Sequence, residues 1–326
     1  MHPAFSVIFL TTLIGAGQGL LLALVTGQWY FVIGATPDQE SGAFYAGGAA
    51  IAELLLVLGL VASFFHLANP QRAWRTATRW RTSWLSREVI VLPAVMGATF
   101  LYGVVHWFGW TPVLWTFGNQ KSLDLSMAVG FAAAGAALAL FLCTAMIYAS
   151  VKFIREWASS WTVVNYTLMG LASGFTIAAA YASLAGSSLT EFFAGDALAL
   201  TLAAMAARIF QLWRNTRLKC RSSMKTAIGV HHGQIRQISQ GFLGGSYNTT
   251  EYRHGIGSEV VRGLVVLFLF LAFALPAALV AAGWATGEHP MLLLAALVQY
   301  VGLMVERWVF FAQGNHVQNM YYQRMA

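Results

Sequence analysis

The sequence predicts an all-α membrane protein, a polytopic bundle of eight transmembrane helices forming one integral-membrane domain over residues 1–326. Three observations carry this. Of 326 residues, 58% are apolar and only 10% charged, with a mean hydropathy of +0.63, whereas a soluble domain carries about 25% charged residues. The apolar residues fall into eight continuous runs, each near the ~20 residues needed to cross the hydrocarbon core. Lys and Arg are segregated to one set of loops. The runs show no dyad alternation, so a transmembrane barrel does not fit.

In chain order the runs are 4–26, 43–66, 89–109, 125–150, 162–187, 192–213, 261–285 and 291–313. The first lacks a basic n-region and is long enough to span, so no cleavable signal is expected. It contains "GAGQG" at Gly15–Gly19, which follows no strand and opens no βαβ unit, so a dinucleotide fingerprint is rejected. Gly- and Ala-rich stretches such as "GFAAAGAALAL" suit close helix packing in lipid. Trp29, Trp107, Trp110, Trp115, Trp161, Trp284 and Trp308 lie near span ends, as interfacial anchors do. The connection 214–260 is long, polar and Gly-rich, and reads equally as a partner-facing segment or a solvated linker. The Asn248-Thr249-Thr250 sequon within it carries no meaning on a cytoplasmic side.

Loops 67–88, 151–160 and 214–260 and the C-terminal tail hold fifteen Lys and Arg, whereas the opposite loops hold only Lys121. The positive-inside rule then places both termini and the 67–88 loop in the cytoplasm, and it accounts for the formal charge of +7 without nucleic acid. Cys143 and Cys220 are too few for an iron–sulfur cluster, which takes about four ligands, and no cluster is expected in this chain. His231, His232 and His254 lack the spacing of a zinc site, so no metal is assigned. One b-type haem stays an alternative, not the favoured reading, because no span carries paired histidines.

Ionisable residues inside spans mark functional positions by default. They are His66, Arg208, Glu306 and Arg307 in the half toward the basic loops and Glu53, His106 and Asp196 in the other. Glu306 and Arg307 are adjacent and point about 100° apart on a helix, so they are expected not to form an ideal pair with each other, and Arg307 to reach the interface or a partner across the bundle. "SFFHLANPQRAWRTATRWRTSWLSRE" (63–88) closes the second run at His66 and follows it with five arginines and three tryptophans, an amphipathic segment beside lipid. An imidazole with an ordinary pKa near 6.5 suits proton exchange with a lipid-soluble redox carrier. On spacing alone, the favoured reading of His66 is an interfacial histidine that caps helix carbonyls, and Glu88 reads as a carboxylate favoured by a helix N-terminus.

The elements "HPAFSVIF", "HLANPQRAW", "WLSREV" and "ERWVFF" together resemble the DmsC-type membrane anchors, the quinone-reactive subunits of molybdopterin oxidoreductases of the DMSO reductase type. The resemblance covers nearly the whole chain. It implies a quinone (ubiquinone or menaquinone) as redox partner, with His66 and Glu88 in the catalytic role at the quinone site and Arg72, Ser86 and Arg307 at neighbouring motif positions. It also implies docking of a ferredoxin-like iron–sulfur subunit, which serves a molybdopterin catalytic subunit, on the basic loop through Arg75, Arg79 and Arg81. The cytoplasmic placement of that loop and the long 214–260 connection are closer to the SoeC branch, anchors of sulfite-oxidising complexes in the bacterial inner membrane. The alternatives are a quinol-oxidising anchor of a DMSO reductase-like respiratory reductase and, from another class, a secondary transporter suggested by Glu53, Asp196 and Arg208.

Overall fold

The computed structural model describes residues 5–36, 38–117, 122–219, 225–226, 229–230, 232–234 and 257–314. Eight helices are long and apolar enough to span: α1 (Phe5–Val32), α2 (Gly42–Phe64), α3 (Trp84–Trp107), α4 (Leu125–Ala149), α5 (Ser160–Leu184), α6 (Thr190–Thr216), α7 (Ser258–Thr286) and α8 (His289–Ala312). Polar residues set several starts. Ser41, Ser83, Asp124 and Ser159 each accept a hydrogen bond from a backbone N–H of the following first turn, satisfying donors that the helix leaves orphaned.

The Ser83 cap matters most. It starts α3 at Trp84, ahead of the expected 89, and draws Ser86 and Glu88 into the helix. Glu88 therefore lies in the second turn, beyond the reach of the helix-terminus effect, which fades within the first. Two small elements accompany the helices. A 3-10 helix spans Pro70–Arg79 between α2 and α3, and a hairpin pairs β1 (Val113–Thr116) with β2 (Ser122–Asp124) antiparallel between α3 and α4.

Helices α1 and α5 form the centre and are the most buried of the spans. Helices α2 and α4 pack on α1 and are joined by α3, while α6 and α8 pack on α5 and are joined by α7. The "GAGQG" stretch is the seam between the two central helices. A Cβ on Gly19 would overlap the Gly170 carbonyl oxygen, and one on Gly174 would overlap the Gly19 carbonyl carbon. Only bare backbone permits this approach, as small-residue seams in lipid require.

Helix α7 contains a π-turn at Phe270–Ala274 just before Pro276. Pro276 has no N–H to offer the Ala272 carbonyl one turn back. Gln299 of α8 donates to that carbonyl at 3.3 Å and to Thr201 Oγ1 at 3.1 Å, so the break is satisfied from outside the helix.

Candidate functional site

The chain leaves α2 at Phe65 and passes His66 before Asn69-Pro70 opens the 3-10 helix. Nothing in Pro70–Arg79 is buried. Phe65, Trp74 and Trp80 are 82%, 67% and 53% exposed, and His66, Arg72, Arg75, Arg79 and Arg81 are exposed with them. The guanidinium of Arg75 stands 5.6 Å from the Trp74 ring and that of Arg81 5.3 Å from Trp80. Among the described residues none of these four arginines pairs with a carboxylate. Arg87 fastens the end of the loop, donating from Nε to the Trp80 carbonyl at 2.9 Å and from Nη2 to that of Arg81 at 3.0 Å. The His66 side chain makes no hydrogen bond or ion pair with the described residues. Partial desolvation by its neighbours holds its pKa below the ordinary imidazole value, which favours the neutral ring.

Ser86, Glu88 and Arg307 are elsewhere, at 1%, 9% and 5% exposure. Glu88 Oε1 accepts from the Thr144 hydroxyl at 2.6 Å, while its other oxygen has no donor among the described residues. Tyr148 of α4 and Tyr166 of α5 each lie within electrostatic reach of Glu88 of α3 and of Arg307 of α8. The Arg307 guanidinium is 5.5 Å from the Tyr166 ring and 4.6 Å from that of Phe310.

The expectation that Glu306 and Arg307 form no ideal pair with each other is corrected. Arg307 Nε lies 2.6 Å from Glu306 Oε2, and Arg208 Nε lies 2.8 Å from Glu306 Oε1. Although the two Cβ atoms diverge, the long Arg307 side chain swings back to a carboxylate that no water reaches, because an isolated charge there would be far costlier. Arg208 Nη1 then donates to Gln211 Oε1 at 2.9 Å, Asn165 Nδ2 to the same oxygen at 3.0 Å, and Gln211 Nε2 to Thr162 Oγ1 at 3.1 Å.

Two groups of expected site residues thus emerge. His66 and Arg72 lie on the open basic loop with Arg75, Arg79 and Arg81, whereas Ser86, Glu88 and Arg307 lie inside. No hydrogen bond or ion pair joins the two groups among the described residues. Sequence reasoning passed over Thr144, Tyr148, Tyr166, Asn165 and Gln211. A signal was present on α5, where Thr162, Asn165 and Tyr166 follow the i, i+3, i+4 spacing of one helix face. Thr144 and Tyr148 of α4, also four apart, share a face of their own.

At the opposite end, Asp196 accepts from the Tyr30 hydroxyl at 2.6 Å. Glu53 lines a lipid-side groove between α2 and α3. With Arg208 committed to Glu306, the three residues that suggested transport share no site. The His106 ring is flanked by those of Tyr45 and Tyr102 at 4.7 and 4.6 Å, and His289 Nδ1 bonds Ser183 Oγ. Among the described residues no group of three or more His, Cys, Asp or Glu is arranged for a metal. Cys143 is buried as a free thiol. Cys220, His231, His254, His316, Lys121, the sequon and most of the 214–260 connection lie outside the described residues.

The donor set fits a quinone head group. A carboxyl with one oxygen held by a hydroxyl and the other without a donor can exchange a proton with a ring oxygen. The family model described as "DMSO reductase anchor subunit (DmsC)" matches residues 1–313. The chain is also 51% identical over 326 residues to the C subunit of the sulfite dehydrogenase of Allochromatium vinosum, covering 100% of both chains.

Proposed function

Since the chain belongs to the DmsC family of membrane anchor subunits, we propose that it is the quinone-reactive anchor of a sulfite-oxidising molybdenum and iron–sulfur complex in the bacterial inner membrane. The observation that carries the substrate is full-length identity of 51% with the C subunit of a sulfite dehydrogenase. In this reading a ferredoxin-like subunit, reduced by the molybdopterin catalytic subunit, docks on the basic loop and passes electrons to ubiquinone or menaquinone.

In this reading the basic end faces the cytoplasm, which the segregation of Lys and Arg supports. Arg72, Arg75, Arg79 and Arg81, exposed and without carboxylate partners among the described residues, supply the field that orients the docking protein. The exposed Phe65, Trp74 and Trp80 rest the same loop on the membrane interface. A quinone accepts two electrons and two protons when bound. His66, open to solvent and held toward its neutral form, orients the head group and exchanges protons with water. Glu88 delivers a proton at the buried side through its free oxygen, and Thr144 holds the other oxygen so that the carboxyl keeps one orientation. Ser86 lines the same turn of α3, and the Arg307 charge offsets negative charge as it develops.

Glu88→Gln in the intact complex tests this. It keeps the shape and removes the proton, so quinone-dependent sulfite oxidation should fall by about 100-fold or more. Oxidation with an artificial acceptor that bypasses the membrane should stay at the wild-type rate. Unchanged quinone turnover sinks the assignment of Glu88.

A further inference from the structure

Glu53 stands midway along α2, so its carboxyl lies near mid-membrane depth, roughly 16 Å from each end of the helix. A carboxyl there is costly. Glu88, Asp196 and Glu306 each hold a partner on another helix. Glu53 makes no hydrogen bond or ion pair with the described residues. Its Oε2 is buried without a partner, which leaves Oε1 as the oxygen a ligand can reach. The neighbouring Thr99 hydroxyl is spent on its own helix, donating to the Val95 carbonyl at 2.9 Å. The carboxyl opens into a groove of about 360 Å³ between α2 and α3. Ala46, Ala49 and Gly103 form its floor, where a Cβ on Gly103 would come within 3.2 Å of the Ala49 Cβ. Phe100 and Trp107, 65% and 72% exposed, wall it on the α3 side. Leu54, Val57 and Leu101 are exposed nearby, so the mouth faces acyl chains.

We propose that this groove is a second, non-reducing site for the lipid-soluble carrier, in which Glu53 hydrogen-bonds the head group of a quinone or quinol between Phe100 and Trp107. The identity of the carrier rests on the proposed function. Depth rules out a phospholipid head group, which stays at the interface about 15 Å away. Height rules out a spanning helix. From Ala46 to Glu53 and from Thr99 to Trp107 the walls rise about 10–12 Å, roughly a third of the hydrocarbon core that such a helix would cross. What fits is a small polar ring carried to this depth by an apolar tail, and the volume suits a small-molecule site. A protonated carboxyl offers one O–H donor and keeps acceptor capacity. Glu53 can therefore donate to a quinone carbonyl or accept from a quinol hydroxyl, and both redox forms are held. Flanking aromatic faces favour a ring over a bare acyl chain. His66 closes α2 about 20 Å further along, so one head group cannot touch both residues. No electron or proton is exchanged at Glu53. The carrier waits there on the same two helices that lead to His66 and Glu88 at the basic end.

The test exposes the whole complex in nanodiscs to a photoreactive azidoquinone and reads the labelled peptides by mass spectrometry. In the wild type, peptides holding Ala50 and Phe100 should be labelled, besides those near His66 and Glu88. Glu53→Leu removes the hydrogen-bonding group, and Ala50→Phe fills the groove. Each should lower mid-span labelling about fivefold or more at a subsaturating concentration, as loss of one hydrogen bond does, and leave labelling at the basic end unchanged. Glu53→Gln still hydrogen-bonds and should keep the mid-span label. Glu53 has no partner to lose among the described residues, so Glu53→Leu should assemble like the wild type, and Ala50→Phe reads the same site if it does not. A tailless quinone should compete for the mid-span position, whereas a fatty acid should not. Absence of mid-span label in the wild type overturns the second site. So does label that survives Glu53→Leu undiminished or that the fatty acid displaces, since the groove is then a crevice for acyl chains only. All three results leave the quinone reading of Glu88 standing. Mid-span label with none at the basic end overturns that reading and leaves the Glu53 site.

Discussion

Glu306→Gln would leave two guanidinium groups facing each other inside the membrane. The wild-type carboxylate is 0% exposed and lies 2.8 Å from Arg208 Nε and 2.6 Å from Arg307 Nε. With charge centres about 4 Å apart and an effective dielectric constant near 20, each attraction amounts to about 4 kcal/mol. The two arginines, drawn to one carboxylate, repel each other, which offsets part of that attraction. The variant loses both attractions and keeps the repulsion. After side chains and water relax, removing one member of a buried ion pair typically costs about 3–5 kcal/mol, and that is the expected destabilisation. Steric-trap unfolding of the purified chain in bicelles measures it. Arg208→Met added to Glu306→Gln should recover part of the loss, because the guanidinium repulsion disappears with Arg208. A change below about 1 kcal/mol in Glu306→Gln would show that the three charges are not a closed buried cluster.

The remaining predictions concern the loop and the seam. Partial desolvation holds the His66 pKa below its unfolded value of about 6.5. The unfolded chain therefore binds more protons in the window between the two, and stability rises with pH across it. Quinone turnover should likewise rise with pH along an acid limb below pH ~6.5, and His66→Gln should flatten that limb in a pH–rate profile. The triple variant Arg75→Glu/Arg79→Glu/Arg81→Glu should slow association of the iron–sulfur subunit by about tenfold or more at low salt and progressively less as salt is raised, measured by surface plasmon resonance with the anchor in nanodiscs. Gly19→Ala drives a methyl into the Gly170 carbonyl oxygen. It should cost at least about 1–3 kcal/mol, as overpacking does, whereas Gly97→Ala, where a Cβ meets nothing within 4 Å, should be close to neutral in the same unfolding assay.

Much of this architecture can be read from one dimension because a bilayer imposes a one-dimensional rule. A spanning segment must satisfy its own backbone and be apolar over a set length, so run length and composition suffice to place eight helices. Helix ends are less legible. The start of α3 depends on Ser83 accepting the Ser86 N–H, and a hydropathy run does not register that bond. The π-turn of α7 needs Gln299 from another helix. Polar residues within apolar runs announced Arg208, Glu306 and Arg307, and the crowding of arginines around His66 announced the open loop.

By itself, then, the sequence determined the number of helices, the basic end and the family, since each depends on residue type and order alone. Tertiary structure alone decided that Glu88 turns to Thr144, 56 residues away, that Glu306 stands between Arg208 and Arg307, and that His66 stays outside while Glu88 is drawn in. These are choices among partners on different helices. They are made by the energy of leaving a buried polar group unpaired, and that energy has no value until the helices are packed.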